Sequence, residues 1–551
     1  MNSLVTTVAV TLLLAAGAAA RAQGAAAAAP PPVGAASGAA APAVPSGPAF
    51  DILEYQVEGN TVLSNAAIEL ALQDHLGPGR RMADVEAARA ALESAYQKAG
   101  YLTIGVDIPE QRIDGGVVRL SVLEGRVREV YVTGSRYHSQ GWIRSHVAAL
   151  TPGAVPDFNV VQVQLGEINR EDRRVQPVLK PGRLPGTVDI DLQVNDTLPV
   201  GGTIEANNQN ARGTTAARML ASVHYDNAFQ RDHALTATLQ VAPEDPSEST
   251  VGILNYAVPF DGGDTVATNF VASNSNVDSL GGTQVFGKGV TLGMRWQHPI
   301  ALSNGYWSVS AGADYKDLRQ KTRFGGDAIS TPLRYLPFQL GLFGLWTSGP
   351  DRVQFNGSGT FAMRQIFERT VSCPVPGGES RQDQFACSRK GADGSFGIVR
   401  GDLRYTHQFM DARVTMRAGA QFASQPLVSA EQYALGGADT VRGYFESEST
   451  GDEGALFSAE ISSLNLATGP AMAQHVKDLS LLAFFDSGLT YNIDPAVGEP
   501  GHAYLLGLGA GTRVALRDGL EGQLDVAWPQ KAVLGRPNPD LRVHARVAWQ
   551  F

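Results

Sequence analysis

The feature that most constrains this chain is a period of two that runs through its C-terminal two thirds. Leu235, Ala237, Leu239 and Val241 alternate with Thr236, Thr238 and Gln240. Trp307, Val309, Ala311, Ala313 and Tyr315 alternate with Ser308, Ser310, Gly312 and Asp314. Ala412, Val414, Met416, Ala418, Ala420 and Phe422 alternate with Arg413, Thr415, Arg417, Gly419 and Gln421. Such spacing puts apolar side chains on one face of a strand and polar ones on the other. A soluble β-sandwich alternates too, but it would not spread one unit over residues 198–551, and its polar face would carry fewer arginines. An apolar face towards lipid and a polar face towards a lumen is the pattern of a transmembrane β-barrel. Roughly sixteen antiparallel strands fit this length, an even number as bacterial barrels require.

Composition agrees with that class. Of 551 residues, 18% are charged and 61 are glycine. No apolar run beyond the N-terminus is long enough for a transmembrane helix. The net charge of −10 gives no case for nucleic acid, and no basic cluster with interleaved aromatics occurs. The ten histidines are scattered without a metal-protease spacing. Gly507, Gly509 and Gly511 fall at alternate strand positions, unlike a dinucleotide turn. The sequence therefore calls for no enzyme, no catalytic residue, no metal and no cofactor.

Residues 1–22 read as a signal peptide, with an apolar stretch Val8–Ala16 and an Ala20-Arg21-Ala22 cleavage site, although its first residues lack Lys and Arg. Residues 23–49 form an Ala/Pro-rich linker that cannot build a core. From Phe50 two α+β units follow in tandem, over 50–124 and 125–197. In the first, Ser64 caps a short helix to Leu76, and Met82 to Lys98 forms a second helix with one apolar side. In the second, Ser139 to Leu150 and Phe158 to Arg170 are the predicted helices. The last strand alternates Val188, Ile190, Leu192 and Val194 with Asp189, Asp191 and Gln193.

Two further stretches carry chemistry. Val441-Arg442-Gly443-Tyr444 lies in a polar, glycine-rich loop of about 435–453 between two strand patterns. Downstream, Phe484, Asp486 and Gly488 share one face of an otherwise apolar strand. A buried carboxylate needs a cationic partner, and arginine's planar fork suits it best. Together these motifs resemble the signature of two-partner secretion outer-membrane transporters, the TpsB family of ShlB/FhaC/HecB-like haemolysin secretion/activation proteins. The stretch Asn169–Gly182 is similar to that family's second POTRA domain, so 50–124 and 125–197 are expected as periplasmic POTRA 1 and POTRA 2. The resemblance implies that the loop folds back into the lumen, where Arg442 meets Asp486. The linker lacks the amphipathic pattern of the plug helix that the family carries there.

The strand count puts the 435–453 loop between strands 11 and 12, on the extracellular side. Cys373 and Cys387 fall between strands 9 and 10, where an exported compartment favours a disulfide worth ~3 kcal/mol of loop entropy. The final strand ends in Trp549 and Phe551, similar to the signal read by the barrel assembly machinery. The implied function is export of a secreted TpsA-type exoprotein of haemolysin or adhesin class across outer-membrane lipid, without nucleotide. The alternatives are an outer-membrane protein insertase of the same superfamily, for which two POTRA units are few, and a diffusion porin or receptor, which would lack them.

Overall fold

The computed structural model describes residues 48–551 except 114, 261, 281–282, 325–326, 376–377, 496–499 and 534–539. The expected signal peptide and all but the end of the linker lie outside the described residues. The chain divides into two compact units, one ending at Pro199 and one running from Val200 to Phe551.

The second unit is a closed antiparallel barrel. Asp327–Tyr335 and Phe338–Ser348 pair with successive halves of the long strand Gly305–Phe324, so these two segments make one stave, interrupted at Leu336-Pro337. The seventeen segments of the ring thus count as sixteen staves, and Val200–Asn207 meets Arg542–Gln550 to close it. Short turns such as 303–304 and 409–411 lie at one end, with the 464–475 connection, and the longest connections, 362–396 and 424–452, at the other. The 424–452 connection joins the eleventh stave, Ala412–Ala423, to the twelfth, Glu453–Ser463.

Burial in the barrel is the reverse of a soluble core. Met294, Val399 and Phe422 stand 58%, 63% and 63% exposed, whereas Gln240, Gln339 and Gln421 are buried. A belt of this kind would aggregate in water and is stable only against lipid. Inside, the polar groups satisfy one another: Arg295 donates from Nη2 to Asp314 at 2.7 Å and to Gln339 at 2.9 Å.

The first unit holds two α+β repeats. In the first, Ser64 caps the helix Asn65–Leu72, and the chain tightens into a 3₁₀ turn at Gln73–His75 before reaching Leu76. Met82–Lys98 buries Val85, Ala88, Leu92 and Tyr96 along one stripe. Gly100, at φ +98°, ends that helix in a conformation other residues resist. Ahead of the helices, Phe50–Ile52 pairs with Gly77–Arg80, while Glu54–Glu58 joins the main sheet. In the second repeat, the predicted helix Ser139–Leu150 is broken. Gln140–Ser145 is helical, then Val147 leaves helical dihedrals at φ −115°, ψ 59°, and Ala148–Leu150 forms a 3₁₀ turn. The break lets both Val147 and Leu150 enter the core with Ile143, Val161 and Ile190.

Asp196 ends the last strand of this repeat and ties down the 135–138 turn. Its carboxylate accepts the N–H groups of Arg136 at 3.0 Å, Tyr137 at 2.8 Å and His138 at 3.1 Å. The His138 ring bridges two carboxylates, with Nδ1 3.1 Å from Asp196 and Nε2 3.1 Å from Asp172. Burial pushes both carboxyls up, but the Tyr137 and Arg136 amides outweigh it at Asp196, and the His138 contact does so at Asp172, so both ionise below the ordinary carboxylate range. A depressed folded value means this stabilisation is complete above the unfolded pKa of 3.8 and is lost as pH falls through the folded one. In full-length protein titrated with acid, the helical circular dichroism signal should therefore fall below about pH 4 while the barrel persists. Asp196→Asn should cost about 2–3 kcal/mol at neutral pH and flatten that acid dependence.

Candidate functional site

The connection 424–452 does not project outwards. It enters the barrel and buries Val441, Arg442 and Tyr444. Tyr433, Leu435, Val441 and Tyr444 pack with Leu456, Leu505 and Val533, giving the loop a small apolar core against the wall. At its neck, Tyr433–Leu435 pairs with Ser449–Gly451 as a two-stranded ribbon.

Arg442 sits at the centre. Its Nε and Nη2 donate to the two oxygens of Asp486 at 2.7 and 3.0 Å, a bidentate pair. The Arg442 backbone N–H adds a third bond to Asp486 at 3.1 Å, and Ser458 Oγ a fourth at 2.7 Å. Nη1 donates to Glu460 at 2.9 Å and lies 3.7 Å from Asp525. The guanidinium rests on the Phe484 ring, 3.4 Å from its centroid, where the π-face attracts a cation. The Asp486 side chain has no exposure at all, so the pair is removed from bulk water, and every acceptor position on the carboxylate is used.

Small residues make the space. Phe484, Asp486 and Gly488 face inward from Val476–Tyr491. A Cβ on Gly488 would come within 2.6 Å of Leu435 and 3.0 Å of Val441. On the next stave, a Cβ on Gly507 would lie 2.0 Å from the Arg442 carbonyl oxygen, one on Gly509 2.2 Å from Phe484, and one on Gly511 1.9 Å from Asp525. Gly507 thus receives the loop itself, while Gly509 and Gly511 make room for the wall side chains Phe484 and Asp525 that surround Arg442. Gly443 turns the chain at φ +99°, and its N–H donates to His544 Nε2 at 3.0 Å. The Tyr444 hydroxyl donates within a cradle of backbone groups, with Leu506 O at 3.1 Å and Lys531 O at 2.9 Å, and accepts the N–H groups of both residues.

The other expected residues lie elsewhere. Cys373 and Cys387 are joined, with Cα atoms 5.7 Å apart, and tie the strand Thr370–Val375 of a hairpin to the short helix Gln384–Ser388 that follows it. That connection is anchored by Arg389, which donates to the Leu427 carbonyl at 2.9 Å and pairs with the buried Asp452. Trp549 and Phe551 point outward, 45% and 54% exposed, and the Phe551 backbone exchanges two hydrogen bonds with Gly202 at 2.9 and 3.0 Å. Sequence reasoning passed over Ser458, Glu460, Asp525 and His544. Each is a polar residue on the inward face of an alternating strand, a signal present in the sequence but shared with every lumen residue.

Barrel, lumen-folded loop and POTRA-like repeats define an outer-membrane β-barrel protein of the POTRA-bearing class. A model described as haemolysin secretion/activation protein ShlB/FhaC/HecB matches residues 186–514, more than half of the chain, and the chain belongs to that family. A ShlB-type POTRA model matches 50–125. The outer membrane transporter CdiB of Escherichia coli O6:K15:H31 (strain 536 / UPEC) is 24% identical over 33% of this chain and 31% of its own length. The chain thus spans about a third of that curated relative. The heme/hemopexin transporter protein HuxB of Haemophilus influenzae (strain ATCC 51907 / DSM 11121 / KW20 / Rd) is 22% identical over 76% of this chain and 72% of its own. Among solved structures, CdiB from Escherichia coli superimposes with a TM-score of 0.59 at 18% identity, covering 99% of this chain and 98% of that one. BamA from Haemophilus ducreyi lacking POTRA domains 1–3 gives 0.54 at 13% identity, covering 91% of this chain and 100% of that one.

Removing one partner of a buried pair strands the other, at roughly 3–5 kcal/mol. Arg442→Ala and Asp486→Ala should each lower the temperature at which the folded barrel unfolds in detergent. The double variant should be little worse than either, because the two changes remove one interaction. Arg442→Lys should fall between, keeping charge but losing the bidentate fork. Gly507→Ala should displace the loop as strongly as Arg442→Ala without touching any charge, which protease sensitivity at 436–450 would register.

Proposed function

We propose that this chain exports one large exoprotein of TpsA type, of haemolysin or adhesin class, across the outer membrane without nucleotide, and is not an enzyme. The observation that carries this reading is a polar lumen occupied by a loop whose centre is held through a buried ion-pair cluster at Arg442. Such a loop can be displaced and re-seated, whereas a diffusion porin would keep its lumen clear. Outer-membrane lipid faces the apolar belt. The outward-pointing Trp549 and Phe551 suit docking on the barrel assembly machinery during insertion. Directionality comes from the cargo, which enters unfolded and folds outside.

The second periplasmic repeat supports capture of an unfolded chain. Its sheet runs Arg126–Thr133, Thr187–Asp196, Arg173–Pro181, so Arg126–Thr133 is an edge. Beside that edge lies a groove of about 450 Å³, with Glu129, Val130 and Tyr131 on one side and Arg144, Val147 and Leu150 on the other. An extended segment adding to the edge would use its backbone for hydrogen bonds and the groove for alternate side chains.

Deleting residues 50–124 should abolish secretion while a heat-modifiable barrel stays in the membrane; normal release would remove the first unit from recognition. A photo-crosslinking residue at Tyr131, which is 43% exposed, should capture cargo stalled in transit. Adducts from a crosslinker at lumenal Gln421, with none from Tyr131, would move the capture site elsewhere.

A further inference from the structure

The barrel is closed by its weakest junction. The first and last staves share five register pairs, Thr203–Asn207 against Arg546–Gln550, whereas each makes eight with its other neighbour. Past Asn207 one more backbone bond, Asn208 N–H to Ala545 O at 3.3 Å, continues the ladder before side chains take over. Asn208 imitates a strand residue: its amide group donates to Val543 O at 2.7 Å and accepts the Ala545 N–H at 2.9 Å. Beyond Asn208 the two edges touch directly through Arg542 and Asn210, and the lumen loop bridges them.

Three contacts make that connection. Glu446 donates its backbone N–H to Asn210 O at 3.1 Å and forms a parallel bridge with Ala211, on the first-stave side of the seam. Gly443 donates to His544 on the last stave at 3.0 Å. Phe445 lies between two arginines, Arg542 of the last stave at 3.8 Å and Arg212 of the first-stave connection at 4.7 Å from its ring centroid. Arg212 is held by a bidentate pair with Glu448 at 2.9 and 3.0 Å, and Arg542 donates to Asn210 Oδ1 at 2.8 Å. Two guanidinium groups this close repel each other. An aromatic ring that offers a π-face to each, with the Glu448 carboxylate beside Arg212, turns the repulsion into a clamp.

We propose that Phe445, Glu446 and Glu448 staple the long-loop end of the barrel seam, so that seating of the lumen loop and closure of the seam are one coupled equilibrium. Arg442 holds one end of the loop on the thirteenth stave, and the staple holds the next few residues on the first and last. Displacing the loop from Asp486 pulls the clamp off the seam; loosening the clamp frees the loop.

Hydrogen–deuterium exchange on the full-length protein in lipid tests this with no exported substrate present, so its outcome is separable from the transport reading. Phe445→Ala should raise exchange of amides 202–208 and 543–550 at least tenfold, leaving the pair 234–241 and 250–257 unchanged. Phe445→Trp, which keeps a π-face for both arginines, should retain protection, and Phe445→Leu should lose most of it. Arg442→Ala, a change outside the clamp, should raise seam exchange in the same sense. Unchanged seam exchange in Phe445→Ala, or a mobile loop with a protected seam in Arg442→Ala, would overturn the proposal. A rise spread evenly over all staves would overturn it as well, by making Phe445 a general support of the barrel.

Discussion

One buried ion pair, Arg442 with Asp486, fixes where the centre of the 424–452 connection sits in the barrel. Arg442 and Asp486 are both out of bulk water, and each is tolerable there only because the other is present. The bidentate fork, the Ser458 hydroxyl, the Arg442 amide and the Phe484 ring satisfy both groups in one geometry. A shifted register would leave a carboxylate or a guanidinium unpaired in a confined space. The pair thus contributes specificity more than net stability: it selects one seating of the loop from many.

The wall is shaped to that seating. Three glycines at 507, 509 and 511 lower one stave so that the Arg442 carbonyl, Phe484 and Asp525 can approach it. Tyr444 then closes the far side, with one hydroxyl serving the backbones of both Leu506 and Lys531. Polar contacts fix the loop's position while the Tyr433, Leu435 and Val441 cluster supplies apolar area. A plug held mainly by polar geometry, in a lumen water can enter, is easier to displace than one held by a large dry core. That balance suits the export proposed for this barrel.

Much of this was legible in the sequence, for local reasons. Alternation is a property of each strand alone, so the barrel and the inward aim of Asp486 could be read without knowing any neighbour. Helices with clear stripes, such as Met82–Lys98, appeared at the expected bounds. What could not be read is set by contacts across the ring. Glu460, Asp525 and His544 reach Arg442 and Gly443 from three different staves, and nothing in their own strands separates them from other lumenal polar residues. Phe445 looks like any loop aromatic until barrel closure brings both Arg212 and Arg542 over its ring. The break at Val147 was missed because tertiary packing of Val147 and Leu150 overrides a continuous helical pattern.

If the Arg442–Asp486 pair is what keeps the loop seated in the lumen, ion flow through single barrels reads it directly. In planar lipid bilayers the wild-type protein should show low, infrequent conductance. Barrels carrying Asp486→Ala should open several-fold more often, approaching a variant that lacks residues 436–450. Conductance of Asp486→Ala indistinguishable from wild type, with the loop-deleted barrel wide open, would contradict the account: the loop would then be seated by something other than this pair.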